Sequence, residues 1–279
     1  MYFSFDVHSD TPDLSTINLC FREIKEWMTS NFLKLNDTKT EFIDIGLYES
    51  PITSLVLDDI TIEPCRKAKN LGFMFDHLMS LEDQICTTSQ VCYMNLRNLE
   101  RIGSKLSTDL KVQLVHSNIL SHIDYCNAVY GRLTESSLQK LQKIQNTAVR
   151  FIFGLYGKAK RQHISPYLKR LHFLPVRYRI KYKIALLVFK CLNNIAPKYL
   201  SSLIRLRESK RQSVRLDNDF YLLKVPPCPH FAKTEAAFSY SGPDIWNQLP
   251  YDLRCMNDIR TFKKQLKTHY FEYAFNTVK

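Results

Sequence analysis

The sequence predicts an α+β protein, a small sheet with one or two helices followed by a mainly α-helical body. Three observations point there. Apolar residues come in short or alternating blocks as far as Phe75 and then recur at helical spacing from Leu81 onward. Glycine supplies only 7 of 279 residues, which favours helices over glycine-rich loops. The composition, 45% apolar and 24% charged, is that of chains that bury a core.

The elements follow in order. Thr11 caps a first helix with Pro12 at its first position, and Ile17, Phe21, Ile24 and Met28 share a face before Asn31 stops it. Glu41–Leu47, Ile52–Leu57 and Ile60–Ile62 read as strands, with Asp58-Asp59 as the tight turn between the last two. Asn70–Phe75 reads as a further strand. From Leu81, the residues Ile85, Cys92, Leu96 and Leu99 continue one helical face, and Gly103 stops it. Ser107 or Thr108 caps the next helix, with Leu110, Leu114, Val115 and Ile119 inward.

Thr134 starts a third helix with Leu138, Leu141, Ile144, Ala148 and Phe151 inward. Its opposite face carries Gln139, Lys140, Gln142, Lys143, Asn146 and Arg150, and Gly154 and Gly157 bracket its end. Residues 158–174 form a basic connector. In VRYRIKYKI (Val176–Ile184) strict alternation would put Arg177, Arg179, Lys181 and Lys183 on one side of a strand. The apolar spacing Val176, Ile180, Ile184, Leu187, Val188, Cys191 runs on for about five turns, with Pro175 at the start, and selects a helix. Segment 207–243 reads as loop, with Pro226-Pro227 and Pro229 as breakers. Trp246, Leu249 and Leu253 anchor a final unit, and a closing helix from about Asp258 places Ile259, Phe262, Leu266 and Tyr270 on one side. Trp27 and Trp246 are expected to be core anchors.

Composition bounds function. Neither GxGxxG nor GxxxxGK[ST] occurs, which argues against those two nucleotide folds. Eight cysteines (Cys20, Cys65, Cys86, Cys92, Cys126, Cys191, Cys228, Cys255) show no CxxC pair and read as free thiols of a reducing compartment. Cys228-Pro229-His230 offers two metal ligands without a second pair at zinc spacing. The longest apolar run, Ile184–Phe189, is too short for a bilayer, and no signal-peptide pattern opens the chain. An intracellular protein of nucleus or cytoplasm, away from membranes, is expected.

The net charge of +12 is unevenly placed. Residues 1–90 carry −8 and residues 91–279 carry +20, while 140–215 holds 19 basic residues against one acidic residue, Glu208. Such a window suits a polyanion, with Tyr167, Tyr178 and Tyr182 interleaved for stacking on unpaired bases. The alternative is a solvated basic surface.

Long blocks also carry a resemblance. WMTSNFLKLNDTKTEFIDIG (Trp27–Gly46) and NLGFMFDHLMSLEDQI (Asn70–Ile85) resemble the reverse transcriptases of non-LTR (LINE-type) retrotransposons, in the palm after the Tyr-Ala-Asp-Asp hairpin. Met1-Tyr2-Phe3-Ser4-Phe5 is similar to the strand that follows that hairpin. Leu141–Leu155, Leu171–Leu200 and Phe238–Arg254 resemble the tail beyond the polymerase domain in many animal LINE-type reading frames, so the likeness covers nearly the whole chain.

The resemblance implies three segments: 1–78 as a palm remnant with a primer-grip-like hairpin at Leu71, Gly72 and Phe73, 79–157 as a helical thumb, and 158–279 as a basic, mainly helical extension. The basic window supplies the expected contacts for sequence-independent binding, Lys140, Lys143, Arg150, Lys158, Lys160, Arg161, Arg177, Arg179, Lys181 and Lys183, and the resemblance implies that the partner is RNA or an RNA–DNA duplex. The intact family enzyme uses two magnesium ions held by carboxylates of an earlier palm strand and of the hairpin. Those segments have no counterpart in this sequence, so no catalytic residue, no metal ligand and no cofactor is assigned.

Asp58-Asp59 lacks the preceding aromatic residue of the hairpin and reads as a turn, and Asp6, Asp10 and Asp13 read as turn and cap residues. Lys39, in NDTKTEF, is either the family's active-site lysine or a surface charge. His116 and His122 are expected in core or surface roles. Two other readings compete: an active polymerase whose upstream in-frame hairpin has been cut from the gene model, and a co-opted, non-enzymatic nucleic-acid-binding protein. A palm remnant is also expected to expose a sheet edge.

Overall fold

Helix α1 (Ser15–Ser30) buries Ile17 and Phe21, one turn apart, and leaves Trp27 62% exposed, so Trp27 is not the core anchor the sequence suggested. Phe21 sits on the face aimed at the strands, whereas Trp27 falls outside that stripe. The computed structural model of the chain describes residues 15–36, 39–45, 54–57, 60–131, 133–207, 221–227 and 237–276. The expected cap Thr11-Pro12, the Asp58-Asp59 turn and the pair Cys228 and His230 lie outside these residues. The chain divides into two compact units, 1–84 and 85–279.

In the first unit β1 (Leu55–Leu57) pairs antiparallel with β2 (Ile60–Ile62), Leu57 opposite Ile60. Leu55 and Leu57 point inward and join Ile17 and Phe21, with Leu35, Phe42, Ile60 and Ile62 packed around them. The expected strand Glu41–Leu47 is not formed by its described part. Phe42 makes a single bridge to Pro64 there. The expected strand Asn70–Phe75 is instead a hairpin, with β3 (Lys67–Asn70) antiparallel to β4 (Phe73–Asp76). Leu71 and Gly72 form its two-residue turn with φ of 48° and 84°. Two positive φ values match the right-handed twist of the strands, and Gly72 adopts its value without strain. Leu71 disguises the turn, because Asn or Asp usually fills that position. Its side chain is 86% exposed, whereas Phe73 is buried and packs on Phe75 at 5.0 Å.

Asp76 ends β4 and directs the chain into α2 (Glu82–Ile102). Its carboxylate accepts from the amides of Leu78 (3.1 Å), Ser80 (2.9 Å) and Leu81 (2.7 Å). Burial pushes its pKa up, but the Ser80 and Leu81 amides, the Ser80 hydroxyl and the Leu78 amide outweigh it, and the pKa ends below the ordinary carboxylate value. The first turn of α2 is tied back to the hairpin by a 2.8 Å Lys67–Asp83 ion pair and by Gln84, which accepts from the Met74 amide at 2.9 Å.

Along α2 the expected face is buried: Leu81, Ile85, Cys92, Leu96 and Leu99. At Gly103 the helix gives way to a 3-10 turn, Gly103–Lys105, where a Cβ would lie 2.8 Å from the Phe151 ring. Ser107 caps α3 (Thr108–Val115) by accepting from the Leu110 amide at 3.3 Å. Leu110 is 42% exposed rather than inward, since it lies in the first turn beside the cap, while Val115 and Ile119 are buried as expected. A π-helical turn, His116–Leu120, joins α3 to α4 (Ser121–Asp124), and the Ser121 amide donates to the His116 carbonyl.

Thr134 caps α5 (Glu135–Phe153), whose expected inward residues are all buried. Gly154, at φ 63°, ends it while the Leu155 amide reaches back to the Arg150 carbonyl at 2.9 Å. Within the connector, a 3-10 segment (Gly157–Arg161) leads to the short α6 (Ser165–Arg170).

Helix α7 (Val176–Leu192) starts after Pro175, and Val176, Ile180, Ile184, Val188 and Cys191 are buried as expected. Beyond it lie α8 (Lys198–Ser201), α9 (Phe238–Asn247), α10 (Tyr251–Arg254) and α11 (Ile259–Asn276). Helix α9 corrects the loop expected over 207–243, because residues 238–243 are helical with Pro243 inside. An internal proline costs about 3 kcal/mol. Burial of Ser241, Gly242, Pro243, Ile245 and Trp246 offsets it. Gly242 permits the close approach to α7, since a Cβ there would sit 3.1 Å from Val188.

Aromatic rings join α7, α9 and α11. Phe189 stacks on Phe262 at 4.2 Å and Trp246 meets Phe262 at 5.8 Å. Trp246 is the core anchor expected, and its indole donates to the Tyr221 carbonyl at 2.9 Å. The expected segment junction at 157/158 falls inside this second unit, where α5 packs on α7.

Cys20, Cys65, Cys86, Cys92, Cys126, Cys191 and Cys255 are free thiols, and burial pushes that of Cys92 up to about 11, which makes it unreactive. Among the described residues no helix is long and apolar enough to cross a membrane.

Asp76 generates a stability prediction. Its folded pKa is depressed, so its contribution is present above the ordinary carboxylate pKa and is lost as pH falls through the folded value. Asp76→Ala should cost about 2–3 kcal/mol, the scale of hydrogen bonds to a charged acceptor. Hydrogen exchange at the amides of Leu78, Ser80 and Leu81 should speed up accordingly, and unchanged protection of all three would refute the capping role.

Candidate nucleic-acid interface

Because α7 is a helix, the row Arg177, Arg179, Lys181, Lys183 does not form one charged edge. At 3.6 residues per turn, Arg177 and Lys181 share one side, and Arg179 and Lys183 share another. The helix is buried around much of its circumference, so each cation must find a partner or reach water. Arg177 pairs with Glu135 at the start of α5, both groups being largely exposed. Arg179 is enclosed, with its side chain 16% exposed, and forks onto Asp124 through Nε at 2.8 Å and through its second nitrogen. Lys181 is half-buried and Lys183 is exposed.

The other expected contacts spread along neighbouring elements. Lys140 and Lys143 lie exposed on α5, and Arg150, further along, is half-buried. Gln142 and Asn146 do not share that open face. Gln142 donates to Asn146 at 2.8 Å and accepts from the Val176 amide at 2.9 Å, and buried Gln145 donates to the Leu174 carbonyl at 2.9 Å. These glutamines hold the start of α7 to α5, where α7 would otherwise leave an amide unpaired. Lys158 and Arg161 are exposed in the 3-10 segment, which also contains Lys160. Tyr167 packs on Phe153 at 4.9 Å and hydrogen-bonds Gln162. Tyr178 contacts Tyr270 and Tyr273 at 6.0 and 5.9 Å, so both tyrosines are already engaged within the protein. In the first unit, Leu71 and Gly72 form the exposed hairpin tip and Phe73 its buried foot. Lys39 is exposed.

Arg179 and Lys183 lead to the feature that sequence reasoning missed. They line a cleft of about 340 Å³ together with His116, Asp124, Asn127, Leu171, His172, Phe173, Leu174, Tyr182 and Lys267. His116 sits edge-on to buried Phe173, with centroids 4.9 Å apart. His172, at φ 53°, faces Phe271 at 5.4 Å. Lys267 comes from α11, where Arg260, Lys263, Lys264 and Lys267 are exposed at helical spacing. That spacing is visible in the sequence. That Lys267 and Lys183 line one cleft is not, because it depends on how α11 packs on α7.

The cleft bears a positive field. Burial lowers the His116 pKa below its ordinary 6.5, nearby Arg179 and Lys267 lower it further, and Asp124 opposes them. His269 on α11 is also held below 6.5 by burial, against Glu272. No protein-family model, curated protein or solved structure matches the chain.

The two arginines should separate by stability. Arg179→Ala strands a half-buried Asp124 carboxylate and should cost about 1.5–3 kcal/mol, whereas Arg177→Ala at the exposed pair should cost less than about 1 kcal/mol. Urea titration of each variant reads the difference, and equal costs would contradict the assignment. The histidines add a pH dependence. Just below pH 6.5 the unfolded chain binds protons that folded His116 and His269 do not, so their contribution to stability rises with pH in that window and is complete above it. The double variant His116→Gln, His269→Gln should flatten the rise in urea midpoint between pH 5 and 7, and an unaltered profile would count against it.

Proposed function

We propose that this chain is the post-catalytic part of a LINE-type reverse transcriptase, comprising primer-grip, thumb and basic-extension segments. Its property is sequence-independent binding of RNA or an RNA–DNA duplex. The observation that carries the binding reading is the +18 charge over residues 140–215 together with exposure of Lys140, Lys143, Lys158, Arg161 and Lys183 on the helical unit. Lysines and arginines at a surface replace condensed counterions on phosphates, and that release drives association regardless of sequence. A surface that only kept the protein soluble would have no reason to concentrate one sign so strongly.

The lineage rests on the blocks Trp27–Gly46, Asn70–Ile85, Leu141–Leu155, Leu171–Leu200 and Phe238–Arg254, which resemble that family in the same order. The family's magnesium belongs to carboxylates of segments outside the resemblance. The proposal therefore contains no metal-dependent step.

Gel-shift titration of RNA and RNA–DNA duplexes between 50 and 300 mM KCl should give affinity that falls linearly on a log–log plot. Lys140→Gln with Lys143→Gln should reduce the slope by about 0.7–0.9 for each phosphate that the variant no longer neutralises. Absence of a shift at low salt, or a shift insensitive to salt, overturns the reading. Primer extension on a poly(A) template with magnesium should give no incorporation above a no-protein control, and incorporation would assign chemistry that the proposal leaves out.

A further inference from the structure

We propose that the cleft between α7, α11 and the π-helical turn is a nucleotide subsite that takes one unpaired nucleotide of a bound strand. The phosphate rests on Lys183 and Lys267, and the base lies against the inner wall beside Asn127. This deepens the nucleic-acid reading and rests on it.

Size is the first ground. About 340 Å³ lies at the lower end of the roughly 300–1,000 Å³ typical of small-molecule sites and far exceeds what a lone phosphate fills. Charge is the second. Asp124 is the one carboxylate among the described residues lining the cleft, and it is spent on Arg179. Lys183 and Lys267 stand exposed at the rim, from two different helices, with no lining carboxylate left for them. Two ammonium groups lining one cleft suit the oxygens of a phosphate.

The third ground is Asn127, which is 3% exposed and lines the cleft. Its Nδ2 donates to Asp124 Oδ1 at 3.2 Å, which fixes the amide's orientation. Its Oδ1 is buried and has no hydrogen-bond partner among the described residues. A buried acceptor without a donor is costly, and a phosphate, which only accepts at neutral pH, cannot satisfy it. A ligand that bears an N–H donor at one end and an anion at the other carries groups complementary to Asn127 and to the two lysines. Phe173, His116 and Tyr182 add π surfaces suited to a planar ring. A paired base is held in its stack and cannot enter a concave site, so the nucleotide is unpaired.

The test is calorimetric titration of the whole chain at pH 7.5 and low salt with nucleoside 5′-monophosphates, the matching nucleosides and inorganic phosphate. The monophosphates should bind at least ten-fold more tightly than either part alone. Lys183→Gln with Lys267→Gln should remove that binding, and Asn127→Ala should bring a monophosphate down to the affinity of phosphate. Both lysines are exposed, so the double variant decides the matter even if Asn127→Ala fails to fold. In gel shifts the double variant should weaken single-stranded RNA more than a blunt duplex. Phosphate binding as tightly as the monophosphates would mean an anion site only and would overturn the inference. So would a double variant that binds single strands like wild type, and in that case the surface reading survives. A wild-type chain that shifts no RNA at all removes both.

Discussion

Burial of α7 is the constraint on which the helical unit depends. The helix contributes Val176, Ile180, Ile184, Ala185, Val188 and Phe189 to the core, contacting α5, α9 and α11. Yet it also carries Arg177, Arg179, Lys181, Lys183 and Lys190. A helix that is apolar on several sides and strongly cationic cannot sit in a core unless its charges are paired or led to the rim. Each neighbour meets part of that demand. The α4 end supplies Asp124, the α5 start supplies Glu135, and Gln142 and Gln145 take up the loose backbone groups at the N-terminal end of α7. Gly242 lets α9 approach closely where α7 is most apolar. The aromatic stack of Phe189, Phe262 and Trp246 closes the remaining side.

The same constraint explains what could be read in the sequence. The 3.6-residue spacing of Leu81–Leu99, Leu138–Phe151 and Phe262–Tyr270 places apolar residues on one face, and those faces are buried. In VRYRIKYKI the alternation and the helical period coexist, and only the length of the apolar pattern through Cys191 separates them. Misreadings occurred where a buried contact or a single backbone angle outweighs the local pattern. Pro243 reads as a breaker but lies in a buried helix, and Leu71 reads as strand but occupies a turn. Gln142 looks like a surface polar until it is seen to accept from the Val176 amide at the start of α7 while donating to Asn146. For the candidate site, the sequence disclosed which residues were charged and the segment that concentrates them. It could not disclose that Lys183 of α7 and Lys267 of α11 meet at one cleft, because that depends on how two distant helices pack.

The first unit is held by different means. Two-stranded hairpins are marginal alone, and each here relies on something beyond its own ladder. For β1 and β2 it is the apolar contact of Leu55 and Leu57 with Ile17 and Phe21 of α1. For β3 and β4 it is polar, through Asp76 gathering three amides and Gln84 pairing with Met74. Trp27, Phe32 and Leu33 remain largely exposed beside this small core, so little apolar burial is left to compensate the loss of either device.

Charge in the helical unit thus divides into two populations. Arg177 and Arg179 are bound to carboxylates, and the enclosed Arg179–Asp124 pair joins α7 to α4. A phosphate competing for Arg179 would have to leave Asp124 half-buried without its partner, a cost that contact with one more phosphate does not recover. Lys140, Lys143, Lys183 and Lys267 are exposed, and their ammonium groups give up only water and counterions when they meet a polyanion. On the proposed reading, ligand recognition falls to these exposed lysines, and Arg179, held by Asp124, acts only through the position of the cleft walls. It follows that affinity and stability are separable in this unit. Removing the lysines should leave the fold intact, and disturbing Arg179 should alter the cleft only by loosening the helices that form it.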